Sequence, residues 1–191
     1  LAELEGRHRR VVQEIAAINQ EIDCETEAFI FGSLCVMAEG RCSLSSYVTG
    51  ASPNLGGVCS PGSHATYREV DGELASNLGA FTIHRVARTE PVPYPTVCKG
   101  GFAAGDFQGH VFEEPTSLDA STLIPQLANA GVTALKIEGR QRSRAYVGAA
   151  VRTLRRIIDD IAAGLPFNGS ALNHLSEGQS TTQGAYRKTW R

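Results

Sequence analysis

The sequence predicts an α/β fold, a βα-type layer with parallel strands interrupted by a cysteine-rich loop region. Three observations carry this. From about residue 115 to residue 163 a helix, a strand and a second helix follow in turn, the order a βα layer requires. Residues 27–34, Glu-Ala-Phe-Ile-Phe-Gly-Ser-Leu, form an earlier apolar run of strand length. Between them, residues 40–66 are rich in Gly, Ser, Pro and Asn and show little periodicity. A loop of that length inside a compact domain is normally functional or held by something.

Each element has its own signal. Val11, Val12, Ile15, Ile18 and Ile22 recur at three- and four-residue steps and predict a helix over 8–22. Residues 65–87 predict antiparallel strands around Asp71-Gly72, a hairpin dipeptide, with Ala80–Val86 as the second strand. Thr116, Asp119 or Ser121 caps a helix reaching about residue 130, with Leu123, Ile124, Leu127 and Ala128 on one face. Pro125 suits its first turn and Gly131 its end. Residues 132–137, Val-Thr-Ala-Leu-Lys-Ile, read as the best strand. A helix over 143–163 sets Val147, Ala150, Val151, Leu154, Ile157, Ile158 and Ile161 on one stripe, and Gly164 and Pro166 stop it. The tail from 168 is polar and reads as irregular.

Composition narrows the function classes. The 191 residues are 42% hydrophobic and 20% charged, enough for a sizeable core and about one domain. Net charge is 18 − 20 = −2, so no bulk basic field favours nucleic acid. No run approaches the roughly 18 apolar residues of a membrane span, and no signal peptide opens the chain. A cytoplasmic protein is expected. The first residue is Leu1, not methionine, which suggests a fragment or processed chain.

Four cysteines lie in loop-like or strand-end surroundings: Cys35, Cys42, Cys59 and Cys98, spaced C-x6-C-x16-C-x38-C. Disulfides need an oxidising compartment, for which nothing speaks. Structural zinc usually shows short C-x2–4-C knuckles, absent here. Four thiolates from scattered loops suit an iron–sulfur cubane, with Arg41, Arg68 and Lys99 near enough in sequence to offset its charge. Four unrelated buried thiols remain an equal reading. Cys24 reads as a half-buried spare thiol. The five histidines, His8, His64, His84, His110 and His174, show no metal or triad spacing. Ser33 and Ser45 have no identifiable His-Asp partners, so serine-protease chemistry lacks support.

The run Glu27-Ala-Phe-Ile-Phe-Gly-Ser-Leu-Cys35, then Gly40-Arg-Cys-Ser-Leu-Ser45, resembles the signature of the collagenase-like peptidase family. Many of its members are oxygen-independent hydroxylases carrying a [4Fe-4S] cluster on four cysteines. Ser52-Pro-Asn54, Cys59-Ser-Pro61, Tyr94-Pro-Thr-Val-Cys98-Lys-Gly, Glu113-Glu-Pro-Thr-Ser-Leu118, Lys136-Ile-Glu-Gly-Arg-Gln-Arg-Ser143 and Ser176–Tyr186 extend the likeness. They resemble most the UbiU-like, ubiquinone-hydroxylating branch. RNA-modifying relatives carry a Cys-Arg just after the third cysteine, where this chain has Ser60-Pro-Gly-Ser-His64. The resemblance covers residue 27 to the end.

The resemblance implies that Cys35, Cys42, Cys59 and Cys98 hold the cluster. It implies a partial (β/α) barrel-like domain: residues 1–26 a helix at the truncated edge of the barrel, 27–164 its C-terminal part with the cluster-binding region, 165–191 a tail. A complete barrel takes about 250 residues, so the barrel is expected to begin before residue 1. It further implies hydroxylation of ubiquinone precursors as a heterodimer with a UbiV-like paralogous subunit, with a lipid-carrier accessory protein and prephenate as oxygen donor. The alternatives are a related [4Fe-4S] RNA hydroxylase and a peptidase of the same family. Glu138 and Arg140 are the candidate catalytic residues. They follow the best strand, and strand C-termini carry the chemistry of βα barrels. Arg140 and Arg142 suit a carboxylate clamp, and a structural ion-pair network is the equal alternative. Glu39 and Arg41, between two of these cysteines, are expected to orient the cluster loop, with substrate contact as the lesser reading. Arg152, Arg155 and Arg156 are most simply a solvated helix face, with a partner surface as the minority reading.

Overall fold

The computed structural model describes residues 2–37, 42–178 and 180–187. Glu39 and Arg41 lie outside the described residues. The elements in chain order are helix α1 (Ala2–Glu21), strand β1 (Glu27–Ser33), the short helices α2 (Ser43–Thr49) and α3 (Pro53–Gly56), and strands β2 (Ala65–Val70), β3 (Glu73–Leu78) and β4 (Phe81–Ala87). A 3-10 turn at Val97–Lys99 precedes β5 (Gly101–Ala104) and β6 (Phe107–His110). Strand β7 (Thr116–Asp119), helix α4 (Ile124–Asn129), strand β8 (Ala134–Ile137), helix α5 (Arg144–Ala162) and strand β9 (Ser180–Thr182) complete the chain. The chain divides into two compact units: residues 1–34 with 116–191, and residues 35–115.

The first unit is a four-stranded sheet in the order β8-β1-β7-β9. β1 pairs parallel to β8 and antiparallel to β7, and β7 pairs parallel to β9. This is an α/β layer, but a mixed one rather than the parallel one the sequence predicts, and among the described residues the sheet is open, with no closed barrel. The β1–β7 pair is where it departs from a parallel layer. Parallel neighbours need a crossover back to the starting edge. Here the chain leaves β1 at Ser33 and re-enters β7 beside it, with Ser33 opposite Ser117. Ile30, Phe31, Leu127 and Leu172 are wholly or almost wholly buried, and Leu118, Leu154 and Ile157 nearly so. Each such side chain contributes about 1.5–3 kcal/mol by leaving water. Val11, Val12 and Ile15 of α1 pack on this core, whereas Ile18 and Ile22 stay exposed.

Three boundaries differ from expectation. Residues 116–119 form strand β7, not the start of a helix. Asp119 instead turns the chain, its Oδ1 accepting from the Ser121 N–H and hydroxyl, before α4 begins with Pro125 in its first turn. The tail is not irregular throughout: β9 extends the sheet, Leu172 is buried, and the Tyr186 hydroxyl donates to the Phe29 carbonyl at 3.0 Å. Residues 40–66 hold α2 and α3. In α5 the Ser143 hydroxyl caps by accepting from the Tyr146 N–H.

The second unit is the antiparallel sheet β2-β3-β4 plus the β5-β6 hairpin. The predicted turn is present. Asp71 and Gly72 take φ 54° and 81°, the two positive φ values of a tight two-residue hairpin. Leu78, Ile83 and Val97 form a small core with Leu44, Val48 and Phe102 against it.

Candidate functional site

All four predicted ligand cysteines fall in the second unit. Cys35 is exposed, and Cys42, Cys59 and Cys98 are half-buried. Cys42 caps α2, its Sγ accepting from the Ser45 N–H at 3.3 Å. The Ser45 hydroxyl donates to the Cys59 carbonyl. The Tyr94 hydroxyl donates to the next carbonyl, Ser60, at 2.8 Å, and Ser60 is buried. The Ser45 hydroxyl thus ties helix α2 to the backbone of the Cys59 loop.

Cys98 sits in the 3-10 turn before Gly100-Gly101. Its carbonyl accepts from the Glu113 N–H at 3.1 Å. Two histidines hold the glycines. Buried His84 accepts at Nδ1 from the Gly101 N–H at 3.4 Å, so its proton sits on Nε2. His110 Nδ1 lies 3.0 Å from the Gly100 carbonyl; a carbonyl only accepts, so this nitrogen carries the proton. A Cβ on Gly100 would lie 2.6 Å from the Phe102 ring and 3.0 Å from Ile83. Lys99 beside them is itself buried.

The thiols act on one another. Burial pushes the Cys98 thiol up to about 12; Lys99 pulls it down, and Cys59, Cys35 and Cys42 push it further up. Burial also raises Cys59, with a hydrogen bond to Ser60 opposing and Cys42 and Cys35 adding to the rise. Tyr94 is raised by burial and then by Cys59. Among the described residues no three His, Cys, Asp or Glu side chains are grouped to hold a single metal ion. Sulfurs on one tetrahedral zinc would sit about 3.8 Å apart, given Zn–S near 2.3 Å. The fifth cysteine, Cys24, is exposed and not half-buried.

The first unit carries a polar cluster that sequence reading missed. The Ser33 hydroxyl, at the end of β1, donates to Glu177 Oε2 at 2.7 Å and accepts from Arg142 Nη2 at 2.7 Å. Arg142 also pairs with Glu177 Oε1 and lies 5.3 Å over the Tyr146 ring, which stacks on Phe31. The Glu177 N–H donates to the Ser117 hydroxyl at 2.7 Å. Arg142 is therefore committed to an ion pair rather than open to clamp a carboxylate. Ser33, with an acid and an arginine but no histidine among its described partners, lacks the base a serine protease uses. Of the predicted pair, Arg140 is exposed and Glu138 half-buried, and the Glu138 carboxylate accepts from the Arg140 backbone N–H at 3.0 Å. The one sequence signal for Glu177 is that it is the sole acidic residue after Asp160. A separate polar cleft of about 180 Å³ opens beyond the C-terminal ends of β7 and β9, lined by Asp119, Thr122, Asn173, Gln183 and Arg187 among others.

The sequence profile of peptidase family U32 matches residues 10–186. This chain belongs to peptidase family U32. Among its curated relatives, tRNA hydroxylation protein P of Escherichia coli is 32% identical over 187 residues, 86% of this chain and 40% of that protein. The protein of the same name from Haemophilus influenzae is 30% identical over 190 residues, again 86% and 40%. The 23S rRNA 5-hydroxycytidine C2501 synthase of Escherichia coli is 27% identical over 152 residues, 78% of this chain and 18% of that one. The chain thus spans about two fifths of the length of its first relatives. No solved structure matches.

These U32 relatives overturn the ubiquinone assignment. They are named for hydroxylation of tRNA and rRNA, so the UbiU-like identity, the UbiV-like subunit, the lipid-carrier protein, the quinone precursor and prephenate as donor are withdrawn. So is the expectation that nucleic acid is an improbable partner. Both errors have a physical origin. The Ser60 position favours the quinone branch only if its side chain meets substrate, and Ser60 is buried, so its identity answers to packing and does not report substrate. A net charge of −2 is a sum over the whole chain and does not exclude a locally basic stretch, such as the six arginines within residues 139–158. Among the described residues no helix is long and apolar enough to cross a membrane.

Proposed function

We propose that this chain is the cysteine-bearing part of an RNA hydroxylase, with tRNA as the first substrate to test. The observation that carries the proposal is the likeness to tRNA hydroxylation proteins over 86% of the chain. The donor set is compatible with it. Four thiols with no histidine among them suit an iron–sulfur cubane, as they would a four-cysteine zinc site, and they share one unit and interact electrostatically. On this reading Cys35, Cys42, Cys59 and Cys98 hold a [4Fe-4S] cluster, which supplies the one-electron chemistry that side chains lack.

The chain's own residues would then prepare the site. Loading must displace the thiol protons, and the largest displacement is at Cys98, where Lys99 favours the thiolate. Ser45 and Tyr94 hold the Cys59 loop, and His84 and His110 hold the glycines after Cys98. Glu138 and Arg140 remain the candidate substrate-side residues of the first unit.

The test is mass spectrometry of nucleosides from tRNA and rRNA of a strain lacking the gene. Loss of a hydroxylated nucleoside, restored by the parent gene but not by Cys59→Ala or Cys98→Ala, is the expected result. An unchanged nucleoside profile refutes the function. Iron and sulfide analysis of anaerobically purified protein tests the cofactor separately: about four of each per chain is expected, and zinc or no metal refutes the cluster.

A further inference from the structure

Helix α5 places its arginines unevenly. Residues 139–158 contain six arginines and no Asp or Glu. Two are neutralised: Arg142 by Glu177 and Arg155 by Asp159, the latter at 2.7 Å. Arg140, Arg144, Arg152 and Arg156 are exposed and make no ion pair among the described residues. At 3.6 residues per turn, Arg144, Arg152, Arg155 and Arg156 lie within a sector of about 120°. The buried residues Ala150, Leu154 and Ile157 occupy the opposite side. From Arg144 to Arg156 the ridge is about 18 Å long at 1.5 Å per residue.

Such a ridge is unusual in a chain whose total charge is −2. Like charges on one face repel, so the arrangement carries a small cost when nothing negative faces it. Gly148 lies within the ridge, and a Cβ there would sit 3.1 Å from the Arg152 guanidinium, so Arg152 lies flat along the helix over this position. The opposite pattern holds in the second unit, where Arg85 and Arg88 pair with Asp71 and Glu69.

We propose that the exposed arginine face of α5 is a docking surface for the phosphate backbone of the RNA substrate. The proposal rests on the reading of the protein as an RNA hydroxylase and adds where the RNA sits. Charge complementarity selects the occupant. A row of forked, permanently charged guanidiniums suits phosphate oxygens, and phosphate contacts position an RNA without reading its sequence.

The test uses the intact purified protein and end-labelled total bacterial tRNA, titrated at several salt concentrations. Each phosphate contact contributes about −0.7 to −0.9 to the slope of log binding constant against log salt. Arg152→Gln/Arg156→Gln is expected to flatten that slope by about 1 per arginine and to weaken binding about tenfold near physiological salt. Arg85→Gln/Arg88→Gln removes the same charge and is expected to change neither measurably; circular dichroism checks that both pairs fold. Equal effects from the two pairs would reduce the proposal to net charge and overturn it. A parent-like slope in the α5 pair, with strong tRNA binding retained, overturns the ridge while leaving RNA hydroxylation standing. If that pair instead sheds a co-purifying acidic protein, the face belongs to protein and the proposal fails. No tRNA binding by the parent, with an unchanged nucleoside profile in the deletion strain, overturns both readings.

Discussion

At Gly32 strand β1 packs tightly on Glu138, and Gly32→Ala tests that packing. Gly32 lies in β1 with φ +135°, a region that L residues rarely adopt. A Cβ there would stand 2.7 Å from both Glu138 Cβ and the Glu138 carbonyl oxygen, and 3.0 Å from the Glu138 nitrogen. Two of these three atoms are backbone, and that backbone is pinned: the Glu138 N–H donates to the Phe31 carbonyl at 2.9 Å. Conformational strain at such a position is worth about 1–3 kcal/mol, and forcing a methyl into a filled space adds about 1–3 kcal/mol. The expected loss is therefore about 2–6 kcal/mol, or a fall in Tm of at least about 5 °C for a protein of this size. Urea and thermal melts measure it, with Gly56→Ala as control. Gly56 has no positive φ, and its nearest described neighbour would be 3.9 Å away, so its melt should move little. A Gly32→Ala melt within 1 °C of the parent would refute the close packing of β1 on Glu138.

Three further outcomes follow from the same geometry. A double-mutant cycle on Arg142→Ala and Glu177→Ala should give a coupling of about 1–3 kcal/mol by urea denaturation, because the pair is largely shielded and shares Ser33. The exposed pair Arg155–Asp159 should give about 0.5 kcal/mol or less. Tyr186→Phe should cost about 1 kcal/mol through loss of the hydrogen bond to the Phe29 carbonyl, and an unchanged melt would mean that the tail does not anchor β1. In metal-free protein Cys98 should resist alkylation at pH 8 and react faster as pH rises toward 12, since burial holds its thiol up. The folded state then binds that proton more tightly than the unfolded state, so stability is kept below the unfolded thiol value near 8.5 and lost above it. Cys98→Ser should flatten the alkaline loss.

Long, self-contained signals were legible in the sequence. Helices α1 and α5 declared themselves by apolar spacing, β1 by its run of Phe and Ile, and the β2-β3 hairpin by Asp71-Gly72. The elements that sequence reading missed are short and polar. Strand β7 is Thr-Ser-Leu-Asp, residues that equally suit a helix cap. It is a strand because β1 and β9 pair with it on both sides, a non-local fact. Strand β9, Ser-Thr-Thr, is hidden for the same reason. The site divides likewise. The four cysteines stood out as residue types, but the Ser33–Arg142–Glu177 cluster joins residues up to 144 apart in sequence, which no local pattern announces. The arginines of α5 were visible as residue types, and only the helix geometry shows that Arg144, Arg152, Arg155 and Arg156 share one face.

The return of the chain at β7 has a consequence for the stability of the β1–β7 ladder. Residues 35–115 leave the sheet after Ser33 and come back at Ser117, its antiparallel partner. That position in a sheet is usually closed by a few residues, and here it is closed by 115 − 35 + 1 = 81. The β1–β7 pairing itself brings the two ends of that segment together, and order within the segment lowers the entropy lost in closing it. Once they lose order, the same pairing must close a long flexible chain, at an added entropic cost of about 2–3 kcal/mol relative to a four-residue loop. The β1–β7 ladder is thereby a reporter of order in the cysteine-bearing segment, and amide hydrogen exchange at Phe31, Gly32 and Ser33 should quicken when that segment unfolds.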